Sequence, residues 1–204
     1  MKRKHLKDII AIVESPEFPA NVKNWRDRDI NGWTVAHEEA RRGKLPAGFN
    51  RWDMKAITGW TVAHEATRHI TFPLSFEFWD MANDLGITVA HMAACYGHLP
   101  DGFSRWELKN YHGRTVAHEA AYFGNLPDDF SQWDLKNNFG WTVAHEAAMY
   151  GRLPDGFDRW DLADNGGNTV AHVAARHGRL PSGFDKWELS NNKGWTVAHE
   201  AAMH

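Results

Sequence analysis

The tetrapeptide Thr-Val-Ala-His recurs seven times along this chain, with its histidine at His37, His64, His91, His118, His145, His172 and His199. The spacing is 27 residues at every step. A fixed period of roughly 20 to 50 residues is the signature of stacked equivalent units, none of which can bury its apolar face alone. The period therefore constrains the fold before any local reading does: the core has to run along the stack, built from contacts between neighbours.

Each segment of the period has a physical reading. A glycine lies five residues before each histidine (Gly32, Gly59, Gly86, Gly113, Gly140, Gly167, Gly194). An Asp or Asn lies three residues before six of those glycines (Asp29, Asn83, Asn110, Asn137, Asp164, Asn191), with Ala56 the exception. This is turn chemistry and marks an inter-repeat loop, because Asx side chains bond nearby amides and glycine takes conformations that a side chain penalises. Thr34 and its equivalents stand at a helix N-cap. The histidine then takes the third helical position, where a capping box places Glu or Gln, and its imidazole can reach back to the cap.

An alanine-rich stretch such as His118-Glu119-Ala120-Ala121-Tyr122-Phe123, ended by Gly124, reads as a short helix. Gly43, Gly97, Gly151 and Gly178 end its copies, whereas Ile70 occupies the equivalent place once and predicts a distorted stop there. The second half of the period runs from Leu99 to Leu108 in one copy. It places proline at a first helical position and apolar residues at i, i+3 and i+5, enough for one or two turns, α or 3₁₀. Helices this short are not stable alone, so each repeat must bury its Phe, Trp and Leu against the next. The tryptophan row (Trp52, Trp79, Trp106, Trp133, Trp160, Trp187) carries much of that burial, since one aromatic side chain covers on the order of 150–250 Å².

The ends differ from the middle. Leu6, Ile9, Ile10 and Val13 have helical spacing and predict a capping helix over residues 4–15, while Pro19 and Trp25 extend the proline and tryptophan rows upstream. The expected division is 1–28 as capping helix and partial repeat, 29–190 as six repeats of 27 residues, and 191–204 as a C-terminal half-repeat. That half-repeat either suffices as a cap or belongs to a longer array.

Composition narrows the partners. Lys+Arg 23 against Asp+Glu 26 gives a net charge of -3, which does not suggest the continuous basic face that nucleic acid or an anionic membrane requires. The apolar run Ile9–Val13 is too short for a secretory core, and no stretch approaches the ~18–20 apolar residues that span a bilayer. The single cysteine, Cys95, allows no internal disulfide and no all-cysteine metal site. A cytoplasmic, monomeric protein is expected.

The pattern Gly-x-Thr-Val-Ala-His-x-Ala-Ala-x-x-Gly, preceded by Asx-x-x, resembles the signature of ankyrin repeats: a hairpin loop, Thr-Pro-Leu-His and an alanine-rich first helix. The resemblance covers about half of every repeat, from near residue 29 to the end. Two departures stand out. Valine replaces proline after the cap threonine, and the period is 27 where ankyrin repeats have about 33. The missing residues fall in the second helix, so the second layer should be thinner. The resemblance implies an all-α, right-stacked α-solenoid of short ankyrin-like helix-turn-helix repeats with inter-repeat loops. It further implies that the periodic histidines bond threonine and neighbouring loop backbone, and that the chain is a non-enzymatic scaffold for protein–protein interaction, binding on a concave face of first helices and loops.

Candidate sites were weighed against this background. Seven histidines invite a metal or acid–base reading, but equivalent positions would lie about 10 Å apart, too far for a shared ion. His-Glu-x-x-His is absent: His64-Glu65 reaches His69 and His199-Glu200 reaches His204, each one residue late. No base accompanies Cys95, so no catalytic residue, metal or cofactor is expected. Buried neutral histidines should instead have depressed pKa values. The periodic tryptophans read as core.

Trp33, Trp60, Trp141 and Trp195 differ, because their position elsewhere holds Ile87, Arg114 and Asn168. Such variety points to binding anchors at the loop base, with shielding of the neighbouring hairpin as the alternative. On the first helix the variable positions hold Cys95 and Tyr96, Tyr122 and Phe123, Met149 and Tyr150 centrally. Arg41 and Arg42, Arg68 and His69, and Arg176 and His177 flank them. An apolar centre with basic ends suggests a docking site for a protein segment, unless these side chains simply pack between adjacent helices. Glu38, Glu65, Glu119, Glu146 and Glu200 interleave with it and would offer charge to the partner. The expected partner-binding residues are Trp33, Trp60, Tyr96, Arg114, Tyr122, Phe123, Trp141, Met149, Tyr150 and Trp195. Rival readings are a carbohydrate or other small ligand held by the loop tryptophans, and a structural or self-assembling rod.

Overall fold

The computed structural model describes residues 25–203, so the helix expected over residues 4–15 lies outside the described residues. The chain divides into two compact units, Met1–Ser104 and Arg105–His204. The first holds α1 (Val35–Arg41), α2 (Val62–Ala66) and α3 (Val89–Tyr96), with α1 against α2 and α2 against α3. The second holds α4 (Val116–Phe123), α5 (Val143–Tyr150), α6 (Val170–Arg176) and α7 (Val197–Ala201), again in consecutive contact. Every regular element among the described residues is a helix, and each repeat adds one isolated two-residue bridge, as between Lys55 and Thr61. Both units are all-α solenoids of one repeating module.

The helix starts follow from the sequence. All seven have threonine as N-cap, and in each a reciprocal capping box joins Thr to the histidine three residues on. A helix leaves its first amides without intrahelical acceptors, and in α2 to α7 each of them finds one. In α5, His145 N–H donates to Thr142 Oγ1 at 3.3 Å and Thr142 N–H to His145 Nδ1 at 3.1 Å. Val143 N–H donates to the Leu135 carbonyl and Ala144 N–H to the Trp133 carbonyl, both at 3.1 Å. The same four bonds recur at α2 and α4.

The second half of each repeat makes the one or two turns expected, without joining them into a second helix. One turn is closed by Phe N–H on the proline carbonyl (Phe157 on Pro154, 3.2 Å) and one by Leu or Met N–H three residues on (Leu162 on Arg159, 3.3 Å). The reason lies in the amides just described. The Trp and Leu carbonyls point at the next helix N-terminus, and a regular second helix would have consumed them internally.

Between these turns runs a chain of edge-to-face rings. In the second unit Trp106, Phe130, Trp133, Phe157, Trp160, Phe184 and Trp187 follow one another at 5.0–5.6 Å between centroids. In the first, Trp25, Phe49 and Trp52 do the same, and Phe76, Trp79 and Phe103 continue the pattern. Trp79, Trp106 and Trp160 are buried core, as expected, while Trp52 and Trp133 are half-buried and Trp187, at the end of the row, is 39% exposed.

Stops are equally local. α3, α4 and α5 end on Gly97, Gly124 and Gly151 in the left-handed conformation. α2, which meets Ile70 instead, closes early at Thr67, whose hydroxyl donates to the His64 carbonyl at 2.7 Å. In the loops the Asx oxygen takes two amides, as where Asp29 Oδ1 accepts from Asn31 and Trp33, both at 2.8 Å. The loop glycine is needed twice over. Gly140 has φ +75°, and a Cβ there would come within 2.6 Å of Asn165 N in the next loop.

Candidate interaction surface

His37, His64, His118, His145 and His172 are committed through both ring nitrogens, whereas His199 is exposed and bonds Thr196. Nδ1 of His118 accepts from the Thr115 amide at 3.2 Å and lies 2.7 Å from its hydroxyl, while Nε2 sits 2.9 Å from the Trp141 carbonyl of the next repeat. An amide can only donate and a carbonyl can only accept, so the ring is neutral with its proton on Nε2. His37, His64, His145 and His172 make the same inter-repeat bond, to the carbonyls of Trp60, Ile87, Asn168 and Trp195. Burial drives the His37, His64 and His118 pKa values down from 6.5 to about 4, and lowers His145 likewise. These rings join repeats, with both nitrogens spent on hydrogen bonds.

The loop-base tryptophans lie beside them. Trp33, Trp60, Trp141 and Trp195 each stack on the histidine four residues on, at 4.7–4.9 Å and about 30°. The first three are half-buried, and Trp195 is exposed. Trp60 and Trp141 also donate their indole N–H to Glu65 and Glu146. Arg114, at the same position, donates to Glu119 at 2.8 Å and Glu146 at 3.2 Å. Residues as different as Trp and Arg thus do one shared job: each reaches the glutamate five residues on.

That corrects one expectation. The glutamates that were to offer charge to a partner are satisfied within the chain: Glu38 by Arg41 and Arg42, Glu65 by Arg68, Glu119 and Glu146 by Arg114, and Glu200 by Arg176. All except Glu119 are buried. The basic flank expected to greet a partner neutralises Glu38, Glu65 and Glu200, and Arg114 at the loop base neutralises the other two.

What remains outward is aromatic. In the second unit Tyr122 meets Phe123 at 4.8 Å and Tyr150 at 4.9 Å, with the Arg114 guanidinium 6.0 Å over Tyr122 and Arg152 5.3 Å over Tyr150. Tyr122 and Phe123 stay 39% and 46% exposed, where a lone globule would favour polar residues. Met149 and Tyr150 are half-buried beside them. In the first unit Tyr96 is exposed under the Arg68 guanidinium at 5.1 Å. The hairpin tips add Ile30, Ile57 and Leu85 in one unit and Tyr111 and Phe139 in the other, all more than half exposed. These tips were not singled out from sequence, although large apolar residues inside an Asx-x-x-Gly turn were the available signal.

No protein-family profile and no curated protein matches the chain. Its structure is similar to the ankyrin repeat domain of Bcl-3, a member of the IkappaB protein family, with a TM-score of 0.60 over 84% of this chain and 95% of that chain. The fold is that of ankyrin repeats. At 20% identity the likeness carries the fold alone. Within it, each repeat combines a hairpin loop and a capped first helix with two turns. Among the described residues no helix is long and apolar enough to cross a membrane.

Proposed function

We propose that this chain is a non-enzymatic scaffold for protein recognition, with the partner seated on the surface formed by the first helices and hairpin loops. The exposed Tyr122–Phe123–Tyr150 cluster supports this most directly. Rings held edge to face form a rigid apolar patch that costs little conformational entropy to bury, and aromatic anchors of this kind concentrate binding energy. In the second unit Arg114, Met149, Trp141, Trp195 and the Tyr111 and Phe139 tips complete the surface, and the first unit presents Trp33, Trp60, Tyr96 and its own apolar tips on its first helices and loops. Since the nearby glutamates are neutralised internally, the partner is selected by apolar and aromatic groups more than by charge. The same reading takes residues 29–190 as six repeats flanked by a capping segment and a half-repeat, in a monomeric cytoplasmic protein that binds neither nucleic acid nor membrane.

Stacking of the loop tryptophans on histidine weighs against the carbohydrate alternative, because each indole has one face already covered. The test is affinity capture with the wild-type chain beside a Tyr96/Tyr122/Tyr150→Ala variant. A partner held on this face should be lost by about 30-fold or more in affinity, with melting temperature nearly unchanged. Equal retention by both chains would mean that the surface is wrong.

A further inference from the structure

The second unit contains a half-open cavity of about 300 Å³ whose lining includes none of the aromatic cluster. Leu153, Pro154, Phe157 and Trp160 supply its apolar wall, and Asp155 and Arg179 its charges. Arg179 stands out by comparison with its equivalents. The residue seven past the histidine reaches back to a carbonyl in other repeats: His98 Nδ1 lies 2.6 Å from the Thr67 carbonyl, and Arg152 Nη1 donates to the Ala121 carbonyl at 3.0 Å. Among the described residues the Arg179 guanidinium has neither an acceptor nor an ion-pair partner. It lies against Gly151, where a Cβ would come within 2.3 Å of Nη1, so the glycine that ends α5 also admits the guanidinium to the cavity edge.

A planar fork of unused N–H donors beside an aromatic wall matches a carboxylate joined to an apolar group. The volume is at the low end for small-ligand sites, enough for one residue-sized ligand. Asp155 on the same rim disfavours multiply charged anions and can accept an N–H beside the carboxylate. We propose that this cavity binds a single apolar residue bearing a free carboxylate, with the carboxylate on Arg179 and the side chain against Phe157 and Trp160. The site is separate from the helix-and-loop face, so either can fail without the other. The carboxylate has two possible sources, a free N-acylated amino acid or the C-terminal residue of another polypeptide.

The test titrates the full chain with N-acetyl-L-leucine and with its primary amide, followed by calorimetry and by the assigned Trp160 indole resonance. The acid should bind and shift that resonance, and the amide should bind at least ~10-fold more weakly. Arg179→Gln should erase the difference at unchanged melting temperature, and Arg179→Lys should restore part of it. Inorganic phosphate should not compete. A short peptide ending in leucine then separates the sources: tighter binding than the free amino acid assigns a chain terminus, and equal binding a small molecule. Equal affinity for acid and amide, an unaffected Arg179→Gln chain, or displacement by phosphate would overturn the assignment.

Discussion

At the scale of single residues, the buried histidine is a joint that holds only while neutral. Burial places the folded pKa of His37, His64 and His118 at about 4, below the ordinary 6.5. The unfolded chain therefore takes up protons first, and the stabilisation present above pH ~6.5 is lost as pH falls toward 4. The loss is on the order of 1–3 kcal/mol per ring, so melting temperature should drop steeply between pH 7 and 5. A flat profile would mean that the rings are not buried in the neutral form. Glu39 works in the opposite direction. It stands where the other repeats place alanine, is fully buried, and neither carboxyl oxygen has a hydrogen-bond partner. Burial raises its pKa to about 7, so its contribution is present below the ordinary carboxylate value of 4.5 and is lost as pH rises through 7. Glu39→Ala should stabilise the chain at pH 8 by about 1–3 kcal/mol and by much less at pH 5, which denaturant melts at the two pH values would show.

At the scale of elements, a helix of five to eight residues survives because its neighbour caps it. Replacing the cap threonine in Thr142→Ala removes the acceptor of the His145 amide and the hydroxyl beside Nδ1. The expected cost is about 1–2 kcal/mol, read as a fall in denaturation midpoint. Trp106→Ala cuts the ring chain at a residue 7% exposed and should cost roughly 3–5 kcal/mol. The cap, the loop and the early stop at Ile70 were all legible in the sequence, because each depends on residues within one repeat. Trp79, Trp106 and Trp160 were legible as core for the same reason. That the second half is limited to one or two turns was legible as well, but that the turns stay apart was not, because that choice turns on carbonyls claimed by the following helix. Nor was the burial of Glu38, Glu65, Glu146 and Glu200 legible. Glu38 and Glu65, each followed by arginine three or four residues on, read as a solvated helix face, while the arginines that meet Glu146 and Glu200 come from the repeat before. For the candidate surface, the sequence picked out Tyr122, Phe123 and Tyr150, which the fold brings together. It missed the apolar hairpin tips, whose exposure depends on how far each loop projects.

At the scale of the whole molecule, stability should behave as a sum of repeat terms and nearest-neighbour interfaces, because the bonds from each helix N-terminus to the Trp and Leu or Met carbonyls before it recur every 27 residues. The backbone amide of Asn165 donates to the Phe139 carbonyl and that of Asn192 to the Gly166 carbonyl, while the side chain of each reaches the carbonyl one period behind. A chain built this way tolerates loss of a whole period and not of part of one. Excising residues 138–164 joins Asn137 to Asn165-Gly166-Gly167, which restores an Asx-x-x-Gly loop and hands α6 the Leu135 and Trp133 carbonyls that now cap α5. The shortened chain should fold, keep its helicity per residue, and melt cooperatively at a temperature lower by roughly 5–15 °C. Excising about half a period, residues 145–157, leaves the Thr142 cap facing a turn and strands the carbonyls meant for it. That chain, although longer, should lose cooperative unfolding in circular dichroism. If the two deletions melted alike, the fold would not depend on the register of the period, and an account that builds each helix on carbonyls from the repeat before it would have to be abandoned.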